Sequence, residues 1–288
     1  MKQIIAILAI CTLLGGCKEN VEKLAERHLD NAKEAFSIGN YNIAKQEIDS
    51  IKILYPKAFE TRRQGIRLMQ LIEEAEQLRA IEYEDSMIVI AQSAFERIKG
   101  DFAFEKDERY QDVGLYTIKS QAPQRNTDRT YIRAQVDELG HMTLISCYRG
   151  SSYIHHDWLK LSVGDLYVDT PESKDRHEFT DLGVYYEWLS FINGNDGGAA
   201  AFISANKDAN ITYTLYRKTG PESSRPVYRN LKLNKDDRYA IAKLYDLSVI
   251  LLSLNEHKAT REEADRHLKF IRSRMEDASV QDAVDEDK

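Results

Sequence analysis

The spacing of apolar positions divides the chain into four regions. The first is an apolar run from Ile4 to Leu14, preceded by Lys2 and followed by Gly15-Gly16-Cys17. Its eleven residues fall short of the roughly 20 that a membrane-spanning helix requires. Its place at the N-terminus, ahead of small residues, makes it a secretion signal over residues 1–16 rather than a fold element. From Val21 to about Gly100 the period is helical. Ala32, Ala35 and Phe36 share one face of a first helix, Gly39-Asn40 makes a tight turn, and Ile43, Ala44, Ile48, Ile51 and Leu54 stripe a second helix that Pro56 ends. Small residues at Ala32 and Ala44 allow close approach, so this is an antiparallel helix hairpin. Residues 61–99 then read as one helix over roughly 50 Å long, striped by Leu68, Leu71, Ala75 and Leu78 and, out of phase, by Ile81, Ile88, Ala91, Phe95 and Ile98. Such a stripe suits either a coiled-coil seam or a helix that packs on successive neighbours.

Past Gly100 the period becomes two. Ile132, Ala134 and Val136 alternate, Leu139-Gly140 turns the chain, and Met142, Leu144 and Ser146 resume, which predicts a β-hairpin. Further strands are expected at 114–119, 152–163, 165–169, 185–192, 199–205 and 210–217, with turns at the glycines, Pro171 and the Asn193-Gly194-Asn195-Asp196-Gly197-Gly198 loop. Short strands in series without helices between them favour an antiparallel sheet, a sandwich or a half-open barrel over 101–233. Helical periodicity returns after Asn234 with Ile241, Leu244, Tyr245, Ser248, Leu251 and Leu252, a stripe wide enough to demand burial. Thr260-Arg261-Glu262-Glu263 has the form of a capping box opening a last helix to about Met275, and the acidic stretch 277–288 is expected to be disordered. The fold class is therefore α+β: a helical region at 17–100, a central antiparallel β domain, and C-terminal helices at 234–276.

Two local patterns resemble known families. Leu14-Gly15-Gly16-Cys17 resembles the lipobox of bacterial lipoproteins, which implies cleavage before Cys17 and acylation of that residue. The resemblance implies a protein tethered to a membrane of the cell envelope through Cys17. Lys18 at the following position favours the outer membrane, and Glu19 and Glu22 weakly resemble an acidic surface-display signal. Ala32, Gly39, Tyr41, Ala44, Ile51 and Pro56 resemble the signature of a tetratricopeptide repeat. His28 stands at the repeat's early tryptophan position, Ile51 replaces the usual alanine, and the segment after Pro56 does not repeat the pattern. With the lipobox, this start is similar to the tetratricopeptide lipoprotein of the outer-membrane β-barrel assembly machinery. That likeness implies an envelope protein or peptide as partner. Stretches such as residues 131–156 resemble uncharacterised envelope lipoproteins, which implies no chemistry.

Charge and composition narrow the function. Loss of Lys2 with the signal leaves 39 basic against 47 acidic side chains, a net charge of −8, which disfavours nucleic acid as a partner. Cys11 leaves with the signal and Cys17 is lipidated, so Cys147 remains alone, without a disulfide partner or a cysteine metal site. Free cysteine is among the most buried residue types, and Cys147 is expected in the core of its strand. The chain contains no G-x-S-x-G element, P-loop or EF-hand. The cluster with chemical potential is Ser151-Ser152-Tyr153-Ile154-His155-His156-Asp157-Trp158. If it is a strand, His155 and His156 point to opposite faces and share a metal only across a bulge. His141 and His177 and the carboxylates Asp157, Asp165 and Asp169 are the other possible donors. A non-enzymatic binding or scaffolding role, without a cofactor, is the favoured expectation. The alternative is a metal-assisted hydrolase or glycan-processing enzyme using His155, His156 and Asp157. Many tyrosines and Trp158 and Trp188 suit either sheet packing or a recognition surface.

Overall fold

A computed structural model describes residues 21–218 and 226–286, with side chains to residue 279. The signal segment, Cys17 and residues 287–288 lie outside the described residues. The chain is α+β, and it divides into two compact units, one of residues 87–257 and one of 21–86 with 258 onward.

The helical unit begins with the hairpin that the apolar spacing predicts. Helix α1 covers residues 21–37 and α2 Tyr41–Leu54. Between them the Asn40 amide donates to the Ala35 carbonyl at 2.8 Å and the Gly39 amide to that of Phe36 at 2.9 Å, with Gly39 at φ +75. This is the Schellman ending, which needs a left-handed residue and so selects glycine. Ala32 and Ala44 are fully buried in the contact, among Ala25, Leu29, Ile48 and Ile51. Helix α3, Phe59–Ile98, adds Leu68 and Ile72 to this core, and Lys45 pairs with Glu76 at 2.5 Å. The expected stripes are only partly buried: Ile43 and Leu54 of α2 and Leu71 and Leu78 of α3 are exposed.

Among the described residues the β unit contains ten strands, all antiparallel to their neighbours. A six-stranded sheet has the order β1 (Ala103–Glu105), β2 (Leu115–Thr117), β3 (Tyr131–Asp137), β4 (Met142–Gly150), β8 (Val184–Phe191), β7 (Arg176–Asp181). A four-stranded sheet has the order β10 (Val227–Lys232), β9 (Thr212–Tyr216), β5 (Leu159–Val163), β6 (Leu166–Asp169). The β3–β4 hairpin has the register that the alternation requires, with Ala134 opposite Leu144 and Val136 opposite Met142. Ile132, Leu144 and Leu189 from the larger sheet and Leu159, Leu161 and Leu215 from the smaller share one buried cluster with Ile203 of α4 (Ala199–Ala205). Helix α5 closes this cluster with Ile241, Leu244, Leu247 and Leu251, so the wide C-terminal stripe is buried as its composition demands.

Five sequence expectations need correction. Residues 199–205 form helix α4, not a strand. The Asp196 carboxylate accepts from the Gly198 and Ala200 amides at 2.8 Å each, and Gly198 sits at φ +88, so the glycine-rich loop starts a helix instead of turning a hairpin. The strand expected at 152–163 begins only at Leu159. The C-terminal region is one helix, α5 (Lys235–Glu286). Thr260 is interior to it, because buried Leu254, Ala264, Leu268 and Ile271 carry the stripe straight through the capping-box residues. The same helix extends through residues 277–286, where disorder was expected.

Gly140, at φ +99, turns the β3–β4 hairpin beneath α5, and a Cβ built there would lie 2.5 Å from the Leu252 amide nitrogen. Its carbonyl also accepts the Ser248 hydroxyl at 2.5 Å. Gly140→Ala combines a strained backbone with overpacking, and we expect a loss on the order of 3 kcal/mol in denaturant unfolding. An unchanged unfolding midpoint would show that α5 does not sit on this turn.

Candidate functional site

The three consecutive residues singled out from the sequence have three separate partners. The segment from Tyr153 to Trp158 is irregular backbone, and His155 adopts φ +54, which breaks the strand geometry that would alternate the side chains. His156 is completely buried. Its Nδ1 donates to Glu187 Oε2 at 2.6 Å and its Nε2 lies 3.0 Å from Ser146 Oγ. The Nδ1 proton is assigned by the partner, since an ionised carboxylate only accepts. Half-exposed His155 pairs through Nδ1 with Glu178 Oε1 at 2.8 Å and stacks on the Tyr153 ring. Asp157, buried, accepts from Lys218 Nζ at 2.8 Å. Of the other donors considered, His141 pairs with Asp137 at 2.9 Å, and His177 lies against Phe179 and Trp188 on β7.

Ser146, His156 and Glu187 have the connectivity of a hydroxyl–imidazole–carboxylate relay. Ser146 projects inward from β4 and Glu187 inward from β8, where it stands opposite Tyr148. All three have 0% exposure, so no substrate carbonyl reaches the Ser146 hydroxyl. Glu187 is also saturated. Oε1 accepts the amides of Ile154 and His155, the second at 2.8 Å, and Oε2 accepts the His156 amide at 3.2 Å besides the ring. Burial opposes its ionisation, but the imidazole and these amides outweigh burial and hold the carboxyl below the usual glutamate range. This arrangement fixes a loop to a sheet rather than performing acyl transfer.

A cation site at the same place is also filled by the protein's own groups. Ligand atoms of His155, Glu178 and Glu187 lie within 4.8 Å of one another. Only one imidazole takes part. Glu178 is bound by Arg176 Nε at 2.6 Å, and both Glu187 oxygens already hold protein donors. Metal ligands need free lone pairs aimed at one point, and these residues fit an ion poorly.

An accessible feature of the β unit is on the other face of the six-stranded sheet. A cleft of about 580 Å³ lies between the 123–129 segment and the outward side chains of β3, β4, β8 and β7. Alternation puts Tyr131, Cys147, Arg149, Tyr186 and Trp188 on this face, with Cys147 paired to both Tyr131 and Trp188 across the ladder. Phe179 stacks on Tyr186 with centroids 4.9 Å apart at 9°, and its edge meets Trp188 at 5.2 Å. The wall is rigid. Arg129 grips Asp237 with both terminal nitrogens, one at 2.8 Å, donates to Asn126 at 2.7 Å and lies 4.5 Å over Tyr131. Arg149 Nε is buried at this face without a hydrogen-bond partner, as is Arg133 Nε, whose guanidinium lies 5.7 Å from the Trp188 ring. Burial pushes the Cys147 thiol up to about 11, so it is no nucleophile here.

Sequence reasoning named the tyrosines and Trp188 only as a class, and it missed Ser146, Glu187, Arg133 and Arg149. The available signal was alternation. Glu187 is an acid at an inward position of β8, and Arg133 and Arg149 are cations at outward positions among aromatics.

Because Glu187 ionises below the ordinary range, the stability it supplies is complete above about pH 4.5, the unfolded value, and is lost as pH falls through its lower folded value. Glu187→Gln removes the charge from a buried pair, and we expect a loss of about 3 kcal/mol at pH 7 that shrinks toward pH 3. Urea unfolding of both proteins across that range checks this, and a pH-independent difference would contradict it.

Compared with known families, with curated proteins and with solved structures, the chain matches none.

Proposed function

We propose that this protein is a lipid-anchored component of the bacterial cell envelope that binds a partner without chemistry, with the outer-face cleft of its β unit as the binding site. The carrying observation is the contrast within that unit: the relay-like side chains are sealed and saturated, whereas the open cleft offers flat aromatic faces beside the guanidinium of Arg149, whose Nε has no hydrogen-bond partner. Charge-assisted hydrogen bonds are among the stronger ones available, and a ligand anion in the cleft gains them from the Arg149 guanidinium that lines it. The rim carries the exposed acids Asp128 and Asp181, so the favoured ligand puts its negative group on the floor and not at the edge. A peptide segment of an envelope protein with an acidic residue beside an aromatic or aliphatic one has this chemistry. The tetratricopeptide-like hairpin and the lipobox at Cys17 support the same kind of role, by analogy.

A peptide array probed with the purified protein tests this reading. Enriched peptides should pair an acid with an apolar neighbour, and Arg149→Gln or Trp188→Ala should weaken the best of them about tenfold or more, as expected for central cationic and aromatic contacts. Binding unaffected by both variants would remove the cleft from the account. Stoichiometric zinc binding abolished by His155→Ala would favour the hydrolase alternative instead.

A further inference from the structure

The tip of the helical hairpin nearest the expected anchor is apolar and uncovered. Ile53, Leu54 and Phe59 are 73%, 59% and 67% exposed, all within seven residues of the α2–α3 turn. The exposed Lys52 and Lys57 interleave with them. The opposite end of the hairpin, residues 37–40, shows Ile38 as its exposed large apolar side chain.

The tip lies where the chain enters α1. Thr61 Oγ1 donates to Glu22 Oε2 at 2.7 Å, and Val21 and Tyr55 pack on the same buried cluster. The His28 and Tyr55 rings, about two turns further along α1, are 5.7 Å apart. Cys17 lies four positions before Val21, and four extended residues span at most roughly 14 Å. An acylated Cys17 therefore holds this tip within a short tether of the lipid surface, whatever path residues 18–20 take.

We infer that the α2–α3 tip is a membrane-contact surface, with Ile53, Leu54 and Phe59 entering the headgroup region of the lipid bilayer that holds the anchor. This rests on the reading of Cys17 as acylated. Apolar side chains inserted a few ångströms, with lysine stems reaching back to the phosphates, are the chemistry of interfacial attachment. The lipobox resemblance implies several acyl chains on Cys17, which anchor stably by themselves, and a second contact restricts orientation. The tip thus fixes which end of the helical unit meets the bilayer, which an acyl anchor alone leaves free.

The test uses the full chain, processed in cells, purified and reconstituted into vesicles of phosphatidylethanolamine and phosphatidylglycerol. Spin labels are placed at Leu54→Cys and, as control, at Ile38→Cys, which α1 puts roughly 25 Å away at the other end of the hairpin. Cys147 is buried and does not compete for label. Collisions with oxygen, which concentrates in hydrocarbon, are compared with collisions with a water-soluble nickel chelate. The oxygen-to-nickel ratio should be severalfold higher at position 54 than at position 38. Equal ratios would overturn the inference and leave the patch to a protein partner. Mass analysis of the N-terminal peptide scores acylation separately: acylation with an aqueous position 54 defeats only the tip contact, whereas no acylation defeats the anchor reading. A melting curve matching that of the unlabelled protein confirms that the labelled chains are folded.

Discussion

One carboxylate ties the β unit together. Glu187 is fully enclosed, and its two oxygens collect three consecutive backbone amides and one imidazole from a loop about thirty residues away in sequence. Those amides belong to a segment with no ladder of its own, and His155 within it occupies left-handed backbone that costs on the order of 1 kcal/mol or more. Charge-assisted hydrogen bonds from oriented amides are among the stronger ones available to a protein. They supply what the segment lacks, and they need an ionised acceptor in a dry place. The sequence of β8 provides that by setting an acid at an inward position between Tyr186 and Trp188, which face outward.

The functional reading depends on this constraint. A serine, a histidine and a glutamate in line would suggest catalysis if they opened on a cleft, but the same atoms are spent on holding the loop that leads into β5. With Glu187 committed, His155 and Glu178 are left as an exposed pair with Arg176, too few for a metal centre. On the proposed reading, recognition belongs to the other face of the sheet. There Cys147 is a buried floor and the aromatic rings of Phe179, Tyr186 and Trp188 lie beside guanidinium groups whose Nε atoms have no protein partner. Arg129, clamped to Asp237 of α5, keeps the wall of that cleft in place without help from a ligand.

Local signals were legible where the physics is local. The 3.6-residue stripes foretold α1, α2 and α3, Gly39 marked a helix end, and alternation around Gly140 foretold the β3–β4 register. Local signals misled where a distant contact decides. Residues 199–205 form a short apolar run that periodicity alone cannot assign, and Asp196 decides it by capping a helix. Thr260-Arg261-Glu262-Glu263 has the composition of a helix start, but Ala264 and Leu268 continue a stripe already begun at Leu254. The pair His155-His156 was placed in a strand because nothing nearby shows the pull of Glu187. The short strands β1, β7 and β10 have three, six and six residues and little apolar alternation, and their partners, more than their sequences, make them strands. Of the site, the aromatic richness was visible and the arrangement was not, since it needs the pairing of β4 with β8 and of β8 with β7.

Native-state hydrogen exchange of the Ile154, His155 and His156 amides tests the central role of Glu187 most directly. In irregular backbone, amides ordinarily exchange by local fluctuation. If Glu187 holds them, all three exchange as slowly as the ladder amides of β4 and β8, and they do so together. Rapid exchange of these amides, with β4 and β8 still protected, would contradict the account.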